Sequence, residues 1–445
     1  MKKPRFLADY GPILVLLLLC GFMSVVTYSE QSSNGTTAAE QVLASLAKQC
    51  GKSPRVLIAV GVQPGDADFA AKLERDLVAS GATVLAVAQG EPRDAREALQ
   101  KIAASGSTLD AICCTAVTQT WLVITDIKAD FPSLGEPSVF TPQSFFWPNF
   151  LKSENLLNIA NQVAVIAVIA IGMTIVIITG GIDLSVGSLV ALSAVLVAAF
   201  IRDFAGGVQA SFGGMLLACI AAIVLCGSIG AVSGTMITWF AIPPFIVTLA
   251  MMLIGSGLAY LLAMGQSIYQ IPDSFVWLGR GADLIGFPNA VVLMLVLYAL
   301  AHVLMARTTL GRYLYAVGGN TEAARLSGVP VKRVLLFAYI ASALFAGLGG
   351  VIMASQLKSG SATYGTMYEL YVIAAVVVGG TSLSGGEGKM LGTLTGVFTI
   401  AVIQNGMNLT NVESYTQKVV LGLVILGAVL FDKVRQRVTT FTSSG

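Results

Sequence analysis

Apolar residues follow two rhythms along this chain. Before residue 30 and beyond about residue 156 they form long, nearly continuous blocks; between 54 and 141 they come in short bursts separated by polar residues. A bilayer-spanning helix needs roughly 20 apolar residues. The long blocks predict spans near 11–28, 156–179, 184–201, 213–236, 245–264, 288–306, 334–355, 370–380, 390–409 and 417–431, about ten in all. The 370–380 stretch is short. It either extends or is a broken helix, which is tolerated only where protein or a water-filled cavity covers it. The first block follows Lys2, Lys3 and Arg5, the layout of a signal peptide. It is longer than most such apolar regions and no A-x-A-like site follows, so a retained anchor is expected.

The short bursts predict something different. Arg55-Val56-Leu57-Ile58-Ala59-Val60, Thr83-Val84-Leu85-Ala86-Val87 and residues 109–117 read as strands, with a last short strand at 137–141. Residues 66–80 carry Phe69, Leu73 and Leu77 on one helical face, with Gly81 as a stop; residues 94–105 and 121–131 read as two further helices. Strands alternating with helices at this spacing imply a small parallel α/β sheet. The chain thus divides into 1–29 (N-terminus and first span), 30–150 (α/β insert) and 151–445 (a transmembrane block). The loop Gly61-Val62-Gln63-Pro64-Gly65-Asp66 sits at a strand end, where ligands suit such sheets. It lacks G-x-G-x-x-G, so no dinucleotide is indicated. The insert is read either as a ligand- or partner-binding domain or as a structural cap.

Composition supports the membrane reading. Hydrophobic residues make up 55% of the chain and charged residues 11%, against about 25% charged in soluble domains. The net charge of +2 gives no argument for a nucleic-acid partner. The single histidine, His302, lies in an apolar run and the six cysteines form no CxxC pair, so no metal site and no catalytic residue is expected. Cys50 could enter a disulfide; Cys113 and Cys114, in a core strand, read as buried small apolar residues. Basic residues mark the cytoplasmic side. Arg307, Arg312, Arg325, Lys332 and Arg333 in the 307–333 loop, and Lys433, Arg435 and Arg437 in the tail, put both termini in the cytoplasm and residues 30–150 outside it.

Three stretches stand out in the transmembrane block. In Gly180-Gly181-Ile182-Asp183-Leu184-Ser185-Val186-Gly187-Ser188, Asp183 either caps the next helix or is a polar gate in the translocation path. Gly318-Gly319-Asn320 leads into Glu322-Ala323-Ala324-Arg325-Leu326-Ser327-Gly328, a short helix former with a glycine stop inside the most basic loop. It is read either as an ordinary solvated loop or as an amphipathic helix that docks into a partner. The third, from Tyr368 to Lys389, contains Ala374-Ala375-Val376-Val377-Val378-Gly379-Gly380-Thr381-Ser382-Leu383. Gly388-Lys389 is followed by Met390, and the upstream glycine of a P-loop is missing. The chain therefore shows no nucleotide-hydrolysing motif. Ser185, Glu369, Thr381 and Asn405 join Asp183 as candidate path or gate residues.

Taken in order, these stretches resemble the permease subunits of ribose/xylose-type ABC sugar importers, from about Phe150 to Asp432. The resemblance implies a path for a monosaccharide or similar small polar solute, opened and closed by ATP-driven alternating access. It implies a second permease subunit, a pair of cytoplasmic ABC ATPase subunits that use the ATP, and an extracytoplasmic solute-binding protein. No cofactor is expected on this chain itself. Glu322, Ala323, Ala324 and Gly328 fit the E-A-A-x-x-x-G pattern of importer permeases, which with Arg325 makes this loop the expected coupling element. The insert departs from the family, whose members join the first two spans by a short loop. The competing readings are an ion-coupled secondary transporter, which would favour mid-membrane carboxylates, and a membrane-anchored solute sensor using residues 30–150.

Overall fold

The structure is a computed structural model that describes residues 6–51, 53–284 and 286–443, with side chains described between 11 and 430 except at 52 and 285. Lys2, Lys3 and Arg5, and the side chains of Lys433, Arg435 and Arg437, lie outside the described residues. The chain forms two compact units, Tyr28–Pro148 and the remainder.

The first helix, α1 (Phe6–Val26), belongs to the larger unit. The smaller unit then runs β1 (Tyr28–Ser32), α2 (Gly35–Gln49), β2 (Arg55–Val60), α3 (Asp66–Ala79), β3 (Thr83–Gln89), α4 (Pro92–Ala104), β4 (Ala111–Cys114), α5 (Leu122–Thr125), α6 (Ile127–Asp130), β5 (Ser138–Phe140) and β6 (Ser144–Pro148). Four strands form one parallel sheet in the order β3-β2-β4-β5. The pleat splits the core in two: Val56, Ile58, Val60, Ala111 and Cys113 face α2 and α3, while Leu57, Ala59, Ile112 and Cys114 face α4 to α6. At the lower end of the sheet Arg55 clamps Asp110, its Nη2 donating at 3.0 Å, its Nε at 3.1 Å and its backbone N–H at 2.8 Å. These bonds hold the Asp110 carboxyl below its ordinary range. Cys50, Cys113 and Cys114 are free thiols, and burial pushes Cys114 up to about 12 and raises Cys113 as well.

Two features of this unit differ from the sequence reading. The helix expected at 121–131 is broken into the single turns α5 and α6, because the chain bends between Thr125 and Ile127 to bury Val123, Ile124 and Ile127 together. In addition, α2 packs on one face of the sheet, and β1 pairs with β6, from Tyr28↔Pro148 to Ser32↔Ser144, in a separate antiparallel ribbon. The ribbon joins residues too far apart in sequence for any local turn signal.

The larger unit continues with α7 (Ser153–Ile178), α8 (Val186–Phe204), α9 (Phe212–Trp239), α10 (Pro244–Leu262), the single turn α11 (Trp277–Arg280), α12 (Asn289–Arg307), α13 (Thr309–Gly319), α14 (Thr321–Leu326), α15 (Val331–Leu357), α16 (Tyr368–Val378), α17 (Met390–Leu409) and α18 (Ser414–Ser443). Seven described helices are long and apolar enough to cross a membrane: α7, α8, α9, α10, α12, α15 and α17. The other three predicted spans coincide with shorter apolar helices, Gly11–Val26, Tyr368–Val378 and Ser414–Leu430. Helix α15 is the central post, packed by α7, α8 and α9.

Close approach holds this block together. Gly230 of α9 lies so near α15 that an added Cβ would stand 2.6 Å from the Tyr339 carbonyl oxygen and 2.5 Å from Ala343 Cβ. Small residues are how helices gain van der Waals contact in lipid, where apolar surface gives no preference for a partner. Buried hydroxyls add hydrogen bonds between helices: Tyr298 donates to the Ala167 carbonyl at 3.0 Å, Ser193 to that of Gly347 at 2.7 Å, and Thr174 meets Thr393 at 2.8 Å.

Candidate functional site

The three sequence stretches converge. Helix α7 ends at Ile178, whose carbonyl accepts the Gly386 N–H at 2.8 Å. An added Cβ on Gly318, at the end of α13, would fall 1.7 Å from that same Ile178 oxygen. A Cβ on Gly385 would meet the Gly318 carbonyl at 2.8 Å and the Gly180 nitrogen at 3.0 Å. Tyr315 of α13 donates to the Gly388 carbonyl at 2.8 Å. Three turns distant in sequence thus make one knot of bare backbone, which only glycine permits at this spacing.

From the knot the chain climbs back into the helix block. Asp183 is 2% exposed; its Oδ1 accepts from Ser185 N at 3.0 Å and Ser185 Oγ at 2.6 Å, and its Oδ2 accepts from Ser342 Oγ at 2.7 Å. Ser342 stands about 16 Å along α15 from Val331, at 1.5 Å per residue, and its Cα lies 2.7 Å from where a Cβ of Gly172 in α7 would be. Asp183 is therefore well inside the block. The reason is the turn after Ile178: residues 179–185 run back up beside α7, so α8 starts at depth. Asp183 does bond a backbone N–H ahead of α8, as a cap would, and it also ties that start to α15. Ser185 is likewise buried.

Glu369 reaches the same helix start from another side. Its Oε2 would lie 2.3 Å from a Cβ on Gly187, so its carboxylate rests against the first turn of α8. Two carboxylates thus flank a helix N-terminus, whose dipole favours negative charge. Glu369 sits in the first turn of α16, which remains a helix of 11 residues. It is preceded by irregular backbone at 359–367 that runs along α8, with Gly360 against the Ala194 carbonyl and Gly365 against that of Gly187. Irregular backbone beside a spanning helix survives only under protein cover or along a cavity. The 370–380 stretch thus carries a short helix that follows irregular backbone.

The other candidates lie elsewhere. Thr381 is in the knot, with its Oγ1 buried and unbonded and its side chain against Gly388. Tyr339 Oη, the other buried hydroxyl without a partner among the described residues, lies against Gly181 one turn from Ser342. Asn405 is apart from Asp183: it exchanges side-chain hydrogen bonds with Asn155 at 2.8 and 3.1 Å, clasping α17 to the start of α7.

Directly after the knot comes α14. Asn320 caps it, accepting the Ala323 N–H at 2.9 Å, and Gly328 ends the turn at φ +82°. Ala324 is buried against the block, while Glu322 and Arg325 pair on the outside, Nε to Oε2 at 3.1 Å and Nη2 to Oε1 at 2.5 Å. The guanidinium holds the Glu322 carboxyl below its ordinary range. Beside the pair Leu326 stands 79% exposed, an apolar knob the sequence reading did not single out; its signal was a leucine on a six-residue helix that buries only an alanine. The 307–333 loop also contains the helix α13, which carries α14 to the knot.

In the smaller unit the Gly61–Asp66 loop is braced by its own side chains and those of its neighbours. The Asp66 side chain is itself buried there, accepting the Gln63 N–H at 3.0 Å, and Thr118 Oγ1 donates to the Ala59 carbonyl at 2.8 Å.

Residues 155–429 match the family described as branched-chain amino acid transport system / permease component. The chain belongs to this permease family. It is 42% identical over 293 residues to the ribose import permease protein of Escherichia coli (strain K12), covering 65% of this chain and 88% of that one. It is 44% identical over 288 residues to the ribose import permease protein of Bacillus subtilis (strain 168), covering 64% and 87%. An L-arabinose transport system permease protein of Escherichia coli (strain K12) is 36% identical over 299 residues, covering 67% and 88%. No solved structure matches the chain. The smaller unit lies outside the family match.

Proposed function

We propose that this permease carries a monosaccharide or similar small polar solute inward through the block around α8 and α16. ATP is hydrolysed by separate cytoplasmic subunits, with a second permease subunit completing the path and a solute-binding protein delivering cargo from outside. In this reading α1, α16 and α18 cross the bilayer with the seven long helices, both termini are cytoplasmic and the Tyr28–Pro148 unit is extracytoplasmic. Asp183, Ser185, Glu369 and Thr381 then belong to the path or its gate, and Asn405 to the clasp that steadies it.

The observation that carries this reading is the direct join between α14 and the knot. A partner gripping Leu326, Glu322 and Arg325 pulls on α13. Through Gly318 and Tyr315, α13 bears on the turns that position the starts of α8 and the loop after α16. A lever of a few residues can thereby tilt two interrupted helices, which is the kind of element alternating access requires. Glu322→Ala combined with Arg325→Ala tests it. Membrane insertion is expected to be unchanged, because the pair is exposed and solvent-screened pairs of this kind add little to stability. Stimulation of the partner ATPase by solute is expected to disappear; unchanged stimulation would remove α14 from the mechanism.

A further inference from the structure

The β1–β6 ribbon has no role in the account above, and its surface is unusual. Tyr28, Phe145, Phe146 and Trp147 are 58%, 47%, 58% and 47% exposed. The Tyr28 and Phe146 rings stack at 5.7 Å, on the face opposite Phe145 and Trp147 by the strand alternation. Both faces of the ribbon therefore show aromatic rings, while β1 contributes Ser29, Glu30 and Gln31. No Asp, Glu, Lys or Arg occurs between Glu136 and Lys152.

The ribbon's root is fixed. The Thr27 carbonyl accepts the Asn149 N–H at 3.0 Å, and Thr27 Oγ1 accepts the Phe150 N–H at 3.1 Å while donating to the Met23 carbonyl at 2.7 Å. Phe150 is buried with Met23 and Ile159, and Asn155 holds its carbonyl at 2.9 Å. The end of α1 and the start of α7 are thereby tied at one level, and both strands leave from that tie.

We infer that the ribbon is an interfacial anchor, its Tyr28 and Trp147 rings seated in the lipid headgroup layer of the outer leaflet. The inference rests on α1 and α7 crossing the bilayer. Each strand residue advances about 3.3 Å, so Tyr28 and Trp147 lie within about 7 Å of the root whichever way the ribbon tilts. The polar layer on each side of the hydrocarbon is about 5–7 Å deep. Tyr and Trp favour that layer because each offers an apolar ring with a polar edge. A protein partner would cover one face of a two-stranded ribbon; a lipid interface surrounds both.

The test uses the full chain in liposomes, with Trp147 left as the only tryptophan by Trp121→Phe, Trp239→Phe and Trp277→Phe. Lipids brominated near the headgroup end are expected to lower its emission by about half, as for a ring at the interface; lipids brominated near the chain end should act more weakly, and aqueous iodide weakly. Strong quenching by iodide would overturn the anchor. So would protection from iodide without any effect of brominated lipid, since that means a protein cover such as a second copy of the chain. A companion variant keeping only Trp239, at the end of α9, checks the spanning reading: if brominated lipids leave it unchanged, that reading fails first. The unaltered chain gives a second measurement. Lipids with a shallow photoreactive diazirine should label Tyr28 and Trp147, and labelling confined to the long helices would contradict the inference.

Discussion

The two units solve the problem of cohesion in opposite ways. In Tyr28–Pro148, filling matters: Leu57, Ile58, Leu73, Leu77 and Leu99 are fully buried around a sheet, and water outside drives them together. In the larger unit, emptiness matters: Gly172, Gly230 and Gly318 let backbones touch, and hydroxyls on Thr174, Ser193 and Tyr298 bond main chain or one another across helices. One additional carbon should damage the second unit more than the loss of several damages the first.

The sharpest way to break this comparison is Gly318→Ala. Its Cβ would collide with the Ile178 carbonyl, and main chain held by the Gly386 N–H has nowhere to move. Overpacking costs about 1–3 kcal/mol even where side chains can yield. We expect loss of folded protein in detergent, read by size-exclusion and thermal denaturation; a variant as stable as the parent would mean the knot is loose. Leu57→Ala is the counterpart, with an expected cost of about 2–5 kcal/mol. It should lower the unfolding transition of the smaller unit and leave that of the larger one in place, as two resolved thermal transitions would report. A single shared transition would contradict the independence of the two cores.

Asp183→Asn is milder. The carboxylate accepts three hydrogen bonds, and the amide nitrogen of Asn cannot accept, so the Ser342 hydroxyl must turn to accept from it and its charge-assisted donation is lost. The expected cost is about 1–3 kcal/mol, measured by thermal shift, with slowed transport because the start of α8 is less firmly tied to α15. The smallest effect is one of pH on the smaller unit. Its Asp110 is depressed by Arg55, so the pair stabilises fully above the carboxylate's ordinary value of about 3.9 and the contribution is lost as pH falls through the depressed value. Both side chains are 40% exposed, so solvent screening keeps the gain small. Asp110→Asn should flatten the acid limb of that unit's stability curve and no other.

How much was legible in the sequence follows from the same contrast. The sheet strands and α3 and α4 announce themselves because alternation and helical periodicity are local. Long spans are equally local, and α7, α9 and α15 fall where hydropathy puts them. What escapes is contact at a distance. Nothing near Gly318 shows that Ile178 will lie against it, and nothing near Tyr28 shows that Pro148 will pair with it. The depth of Asp183 escapes as well, because hydropathy measures length along the chain, whereas the chain doubles back after Ile178. The glycines were visible as glycines; their common meeting point was not. For α14, the short E-A-A-R-L-S-G helix was readable and the exposed Leu326 beside it was missed.

The central claim is that this chain is a path whose drive comes from outside it. Sugar uptake into proteoliposomes holding the chain with its binding protein and cytoplasmic ATPase, compared with the chain alone, tests that claim most directly. The account predicts uptake only when the ATPase and ATP are present, with no dependence on a sodium or proton gradient. Uptake by the chain alone, or uptake that follows such a gradient without ATP, would contradict it.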